Sequence, residues 1–201
     1  MIKKLSTYLF LLLFSFQTPS WADDIRDFQI EGMSIGDSLL DYFSEEEINK
    51  IQKDYYPGSN KFFRIIIIKP NMEIYEKLQF HLKHNDKNYK IYSISGLIYF
   101  RENKDNLNEC NKVRKEIVKE ISNLAKDIKI DDVGVEKYHL DKTGKSKHDT
   151  TYFDFKSGDY IKAQCVDYSN EFSKQQGGWY DNLRIAINFK EYTDWLTNET
   201  E

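Results

Sequence analysis

Two cysteines, Cys110 and Cys165, are all that the chain carries, and the patterns around them constrain the fold more than any other feature. Around the first, Leu107, Cys110, Val113, Ile117, Ile121, Leu124 and Ile128 recur at steps of three and four, which makes one apolar stripe on a helix. Around the second, Ile161, Ala163 and Cys165 alternate with Lys162 and Gln164, which makes a strand with one apolar face. Each thiol lies on the side of its element that must be buried, so the strand's cysteine points to where the helix packs. Connectivity within the chain is then unambiguous. A bridge closing about 56 residues is worth roughly 4 kcal/mol in the chain-entropy account. The Cys-x-x-Cys spacing of a redox pair is absent, so a structural disulfide is expected.

A disulfide calls for an oxidising compartment, and the N-terminus reads as the address. Lys3 and Lys4 precede an apolar run from Tyr8 to Phe16, and Ser20 and Ala22 put small side chains just before the bond to Asp23. The run is shorter than the ~20 residues a membrane-spanning helix needs, and no cysteine follows it to carry a lipid. The expectation is a signal peptide over 1–22 and a single exported α+β domain over 23–201 with no membrane span, periplasmic or extracellular. The net charge of −4 becomes −6 once Lys3 and Lys4 are lost. With no basic block to neutralise phosphates, nucleic acid is not an expected partner.

Ser34 and Asp37 ahead of Ser38 to Phe43, then Ser44 with Glu47 as a capping box, predict two short helices near 35–43 and 45–53. Tyr56-Pro57-Gly58-Ser59 stops helix, and Ile65 to Ile68 predict a central strand covered on both faces. Leu78, Phe80 and Leu82, then Tyr92, Ile94, Ile98 and Phe100, give the inward faces of a hairpin turned at 84–88, with Gly96 as a bulge or close-approach point. A helix near 105–128 follows, then a weak strand over 133–140, strands around Phe153, Cys165 and Ile185, and a short terminal helix. The predicted fold is α+β: antiparallel sheet packed against one long helix, with two short N-terminal helices.

Chemistry is harder to find. Gly36-Asp37-Ser38-Leu39 spells the signature of GDSL-type esterases and lipases, in which the serine is the nucleophile and a C-terminal Asp-x-x-His supplies the base. No Asp-x-x-His exists here; Glu136-x-x-His139 is the nearest substitute, so Ser38 with His139 is the only esterase pair on offer. Gly144-Lys145-Ser146 lacks the earlier glycine of a phosphate-binding loop, since that position is His139. His81 and His84, three apart on a strand, point to opposite faces, and no metal or cofactor site is expected. Tyr89, Tyr99, Tyr152 and Tyr168 fall opposite the main apolar face of their strands, where they either present a tyrosine-rich binding surface or cover the second face of the sheet within the fold.

The turn Gly32-Met33-Ser34 leading into a short helix, a second helix and three strands resembles the front of the small outer-membrane assembly lipoproteins and related inhibitor-like folds. The stretch Ile30-Glu31-Gly32-Met33-Ser34-Ile35-Gly36-Asp37-Ser38-Leu39-Leu40, with the leader, resembles exported, uncharacterised proteins of AT-rich marine alphaproteobacteria, a likeness that implies no known activity. The functional expectation is a non-catalytic interaction or binding domain whose partner is an envelope protein or a small ligand. The alternative is a secreted esterase using Ser38.

Overall fold

The structure is a computed structural model and describes residues 24–68, 72–101 and 106–200, with the side chains of 199 and 200 left aside. The leader expected over 1–22 lies outside the described residues. Eight strands form one antiparallel sheet in the order β1-β2-β3-β4-β8-β7-β6-β5. In chain order they are β1 (Asp54–Tyr56), β2 (Ser59–Ile67), β3 (Lys77–Lys83), β4 (Ile91–Phe100), β5 (Lys129–Lys137), β6 (Lys147–Asp154), β7 (Tyr160–Asp167) and β8 (Asp181–Asn188). The helices are α1 (Glu45–Lys50), α2 (Asn106–Leu124), α3 (Asn170–Gln175) and α4 (Lys190–Thr200).

This corrects the predicted layering of antiparallel sheet on one long helix. A single continuous sheet dominates, and no one helix spans it. The amphipathic α2 packs mainly on β6, β7 and β8, burying Cys110, Arg114, Ile117 and Ile121. Over β2 to β4 the cover is an irregular segment with α1, which buries Phe28, Ile30, Ile35, Leu39, Phe43 and Ile48 in the same core. That segment is tied to the sheet by backbone bonds from Gly36 N–H to the Ile91 carbonyl and from Ile91 N–H to the Asp37 carbonyl. The first expected helix is a 3-10 turn, Leu39–Asp41, capped by Ser38. Ser34 does not cap it: its hydroxyl donates to the Phe28 carbonyl, and its N–H is taken by Asp37. The second is real but short, with Ser44 and Glu47 forming the expected capping box.

Cys110 and Cys165 are joined by a disulfide, Cα to Cα 5.9 Å, which pins α2 to β7. Beside it, the Arg114 guanidinium is buried and donates to Asp149 at 2.6 Å and to Thr151. Glu31 fastens the other half, its carboxylate accepting the backbone N–H groups of Glu73, Ile74 and Tyr75. The clamp sets the Tyr75 ring on the Cα of Gly96, where an added Cβ would overlap it. Gly96 is thus a close-approach point, and the residue must be glycine because the ring occupies the space of a side chain.

The isoleucine run differs from expectation. β2 is the second strand from the edge, and only Ile65 and Ile67 enter the core. Ile66 turns to the opposite face and Ile68, past the strand end, is exposed.

Candidate functional site

The second face of the sheet is covered at its ends, by α4 over Phe62 and Tyr92 and by Phe172 and Trp179 against Tyr168, and lies open between them among the described residues. Strand alternation and register put its side chains on a grid. One row reads Arg64, His81, Ser93, Asn188, Tyr160 across β2, β3, β4, β8 and β7; the next reads Ile66, Gln79, Ser95, Ala186, Lys162, Tyr152 and adds β6. The smallest side chains, Ser93, Ser95 and Ala186, stand at the centre, and long ones stand around them. A hollow results, a cleft of about 920 Å³ that runs into a second lobe of about 510 Å³ past Arg64 and Arg184.

The sheet curls around this hollow. Arg64 on β2 and His139 and Leu140 in the β5–β6 turn line the same cleft, although β2 and β6 stand five places apart, about 24 Å in a flat sheet. The turn is held in place by Asp141, whose carboxylate accepts from Ser146 N–H and hydroxyl, from Thr143 N–H and hydroxyl, and from the Ser169 hydroxyl. These hydrogen bonds, those of Ser146 foremost, hold the Asp141 carboxyl well below its ordinary range. At the other end α4 lays Tyr192 and Trp195 over Phe62 and Tyr92, forming a small separate aromatic core. The Tyr56 and Tyr192 hydroxyls meet at 2.6 Å there, and burial raises the Tyr192 hydroxyl far above its usual value.

Charge on the floor is unbalanced. Arg64 pairs with Asp54 at 2.9 Å, but among the described residues no carboxylate lies within ion-pair distance of Lys162 or Arg184. The register makes these two diagonal neighbours, since Lys162 faces Ala186 and Arg184 faces Gln164. Burial first, then the Arg184 charge, pulls the Lys162 ammonium from its usual 10.5 down to about 8. His81 sits beneath the cations, buried and stacked on Tyr192 with ring centroids 4.5 Å apart. Burial, followed by the charges of Arg184, Arg64 and Lys162, lowers it to about 3, so its imidazole stays neutral. Among the described residues, the buried side-chain atoms His81 Nδ1, Asn188 Nδ2 and Asn182 Oδ1 have no hydrogen-bond partner. All three residues line the cleft or its second lobe.

The tyrosines expected to form a binding surface divide. Tyr99 and Tyr168 line the second lobe, Tyr99 against Tyr180 at 6.0 Å and Tyr168 among Tyr138, Phe172 and Trp179. Tyr152 shares the same face and packs edge-on against Tyr160 at 5.7 Å. Tyr89 is a correction: it lies in the turn before β4, packs against the main core and donates to Asn49. The cause is a bulge, since His81 pairs with Ser93 and Leu82 with Ile91, so Tyr92 is an extra residue that reverses the alternation. Tyr92, expected inward, accordingly points to the cleft side.

Ser38 and His139 are not brought together. The Ser38 hydroxyl donates to the Asn88 carbonyl at 2.6 Å and accepts from Leu40 N–H, on the segment that covers the opposite face from the cleft that His139 lines. His84, expected with His81 as hairpin surface polarity, is exposed beside Tyr55, whereas His81 is buried. No group of three or more metal-ligating side chains occurs among the described residues, and no helix there is long and apolar enough to cross a membrane. Sequence reasoning missed Lys162, Arg184, Asn188 and Arg64. The available signal was polar side chains alternating along these strands, with three cations and no acid among the four.

No family model, curated protein or solved structure matches the chain.

Proposed function

We propose that this is a non-catalytic binding protein, exported to the periplasm or beyond, whose curved sheet face takes a ligand of small-molecule size. The observation that carries the reading is the cleft floor, where polar atoms are buried without partners and two cations stand without counter-charges. Each unmade buried hydrogen bond costs about 1–3 kcal/mol, and half-burying two like charges without a counter-charge adds to that, so a fold keeps such groups where something else satisfies them. The volume of about 920 Å³ suits a small ligand, and the aromatic walls supply apolar contact. The leader-like segment at 1–22 and the disulfide agree with export. Binding is the preferred reading because Ser38 and His139, the pair that a GDSL-type esterase would need, do not converge.

The test is a screen of the oxidised protein against small molecules of mixed charge, observed by amide and side-chain NMR. Shifts should concentrate on the cleft-facing residues of β3, β4, β7 and β8. Ser95→Phe, which fills the hollow, should abolish them. Hits scattered over other surfaces, or hits indifferent to Ser95→Phe, would refute the reading.

A further inference from the structure

We infer that the hollow above Ala186, between Lys162 and Arg184, is an oxyanion subsite that anchors an organic acid by its charged group. The inference deepens the proposed binding role and rests on it. Across adjacent antiparallel strands, diagonal neighbours such as Lys162 and Arg184 stand about 7–8 Å apart, and somewhat less at their Cβ atoms. Their ammonium and guanidinium can therefore converge on one group bound over the methyl of Ala186. Ala186 and Ser95 face each other in register, and both are too small to reach into that space. Beneath it Asn188 accepts from Ser93 through Oδ1 at 2.7 Å and keeps Nδ2 unpaired, a buried donor at the edge of the same hollow.

The surroundings choose the sign and the shape of the ligand. The three cations Arg64, Lys162 and Arg184 all act on His81, and among the described residues only Arg64 has a carboxylate partner, Asp54. The chain as a whole is acidic, so this local positive field is not the overflow of a basic surface. Planar guanidinium and compact ammonium together suit a carboxylate or a phosphate monoester, whose oxygens can be shared between them. Tyr56, Tyr160 and Tyr192 wall the cleft beside the cations, so the body attached to the anion is apolar or aromatic.

Three probes of one shape test the assignment: phenylacetate, phenyl phosphate and the uncharged phenylacetamide, each titrated by calorimetry and by NMR. At least one charged probe should bind about tenfold or more tightly than phenylacetamide, and which of the two does so names the oxyanion. Lys162→Met and Arg184→Gln should each remove that advantage while leaving phenylacetamide within twofold, and Lys162→Arg should keep most of it. Bound anion should also raise the titration midpoint of Lys162 from about 8. Charged and uncharged probes that shift the same cleft resonances with equal affinity would overturn the subsite and leave the cleft as a binding face. A charged probe whose affinity ignores Lys162→Met and Arg184→Gln would overturn it as well. If the Ser95→Phe control fails to affect any probe, the fault lies with the wider reading of the cleft.

Discussion

Replacing Lys162 by methionine should make the protein more stable. Methionine keeps the length and apolar stem of lysine and removes only the charge. Folding moves the ammonium from the usual 10.5 to about 8, a displacement equivalent to about 3 kcal/mol of disfavoured charge. The side chain is half-buried, and solvent screening reduces the figure to about 1–2 kcal/mol, or roughly 2–8 °C in Tm for a chain of this size. The pH dependence carries the sign. Below about 8 both folded and unfolded chains hold the proton, and the native state bears the full penalty. Between about 8 and 10.5 the native lysine is neutral while the unfolded one is charged; unfolding takes up a proton, and wild-type stability rises with pH. The advantage of methionine is thus complete at pH 7 and fades towards pH 10.5. The groups facing Lys162 are Arg184 on β8, Tyr160 on its own strand and Tyr152 on β6, with Arg64 and His81 farther across the floor. Burial holds Tyr160 up to about 12 and raises Tyr152, and His81 stays neutral down to about 3, so Lys162 is the group that titrates in this window. Urea unfolding of oxidised wild type and Lys162→Met at pH 7 and pH 10 measures both quantities. A variant less stable than wild type at pH 7, or an advantage undiminished at pH 10, would refute the reasoning.

Gly96→Ala should cost about 1–3 kcal/mol, because its methyl overlaps the Tyr75 ring that the Glu31 clamp holds in place; a change within 0.5 kcal/mol, roughly the scale of an ordinary surface substitution, would contradict that contact. Arg114→Met should cost about 3–5 kcal/mol by stranding Asp149 beneath α2, and the double variant Arg114→Met with Asp149→Asn should be less destabilised than Arg114→Met alone, as a double-mutant cycle in urea would show. Reducing the Cys110–Cys165 bond should lower the free energy of unfolding by up to about 4 kcal/mol. Amide exchange should then rise first in α2 and the adjoining part of β7.

Much of the core face was legible because burial imposes a period. Cys110 and Ile117 recur at helical spacing, and Ile161 with Cys165 at strand spacing, so the meeting of the two sulfurs followed from the pattern. What failed was whatever depends on a neighbour. The segment around Ser34 carries helix-start residues, yet its backbone bonds go to Ile91 and Tyr89 of a distant hairpin, and only the 3-10 turn Leu39–Asp41 forms in place of an α-helix. Tyr89 was misplaced by one inserted residue, Tyr92, whose bulge no alternation count can locate. The cleft was half visible: Tyr99, Tyr152 and Tyr168 were assigned to the correct side, whereas Lys162 and Gln164 read as ordinary wet-face residues. Only strand order sets Arg184 beside Lys162, and strand order is a long-range fact.

The strand order also divides the molecule. β1 to β4 are consecutive in the chain, as are β5 to β8, and within the sheet the two groups touch only where β4 lies along β8. Each group is a meander of neighbour pairings, which close small loops and form quickly, whereas the β4–β8 zipper joins residues such as Gly96 and Ile185 from far apart. The hollow straddles that zipper, with Ser95 on one bank and Ala186 on the other. Contact order therefore predicts that the β4–β8 zipper closes after the two meanders, and anything that gripped both banks of the hollow would act as a rivet across that late joint.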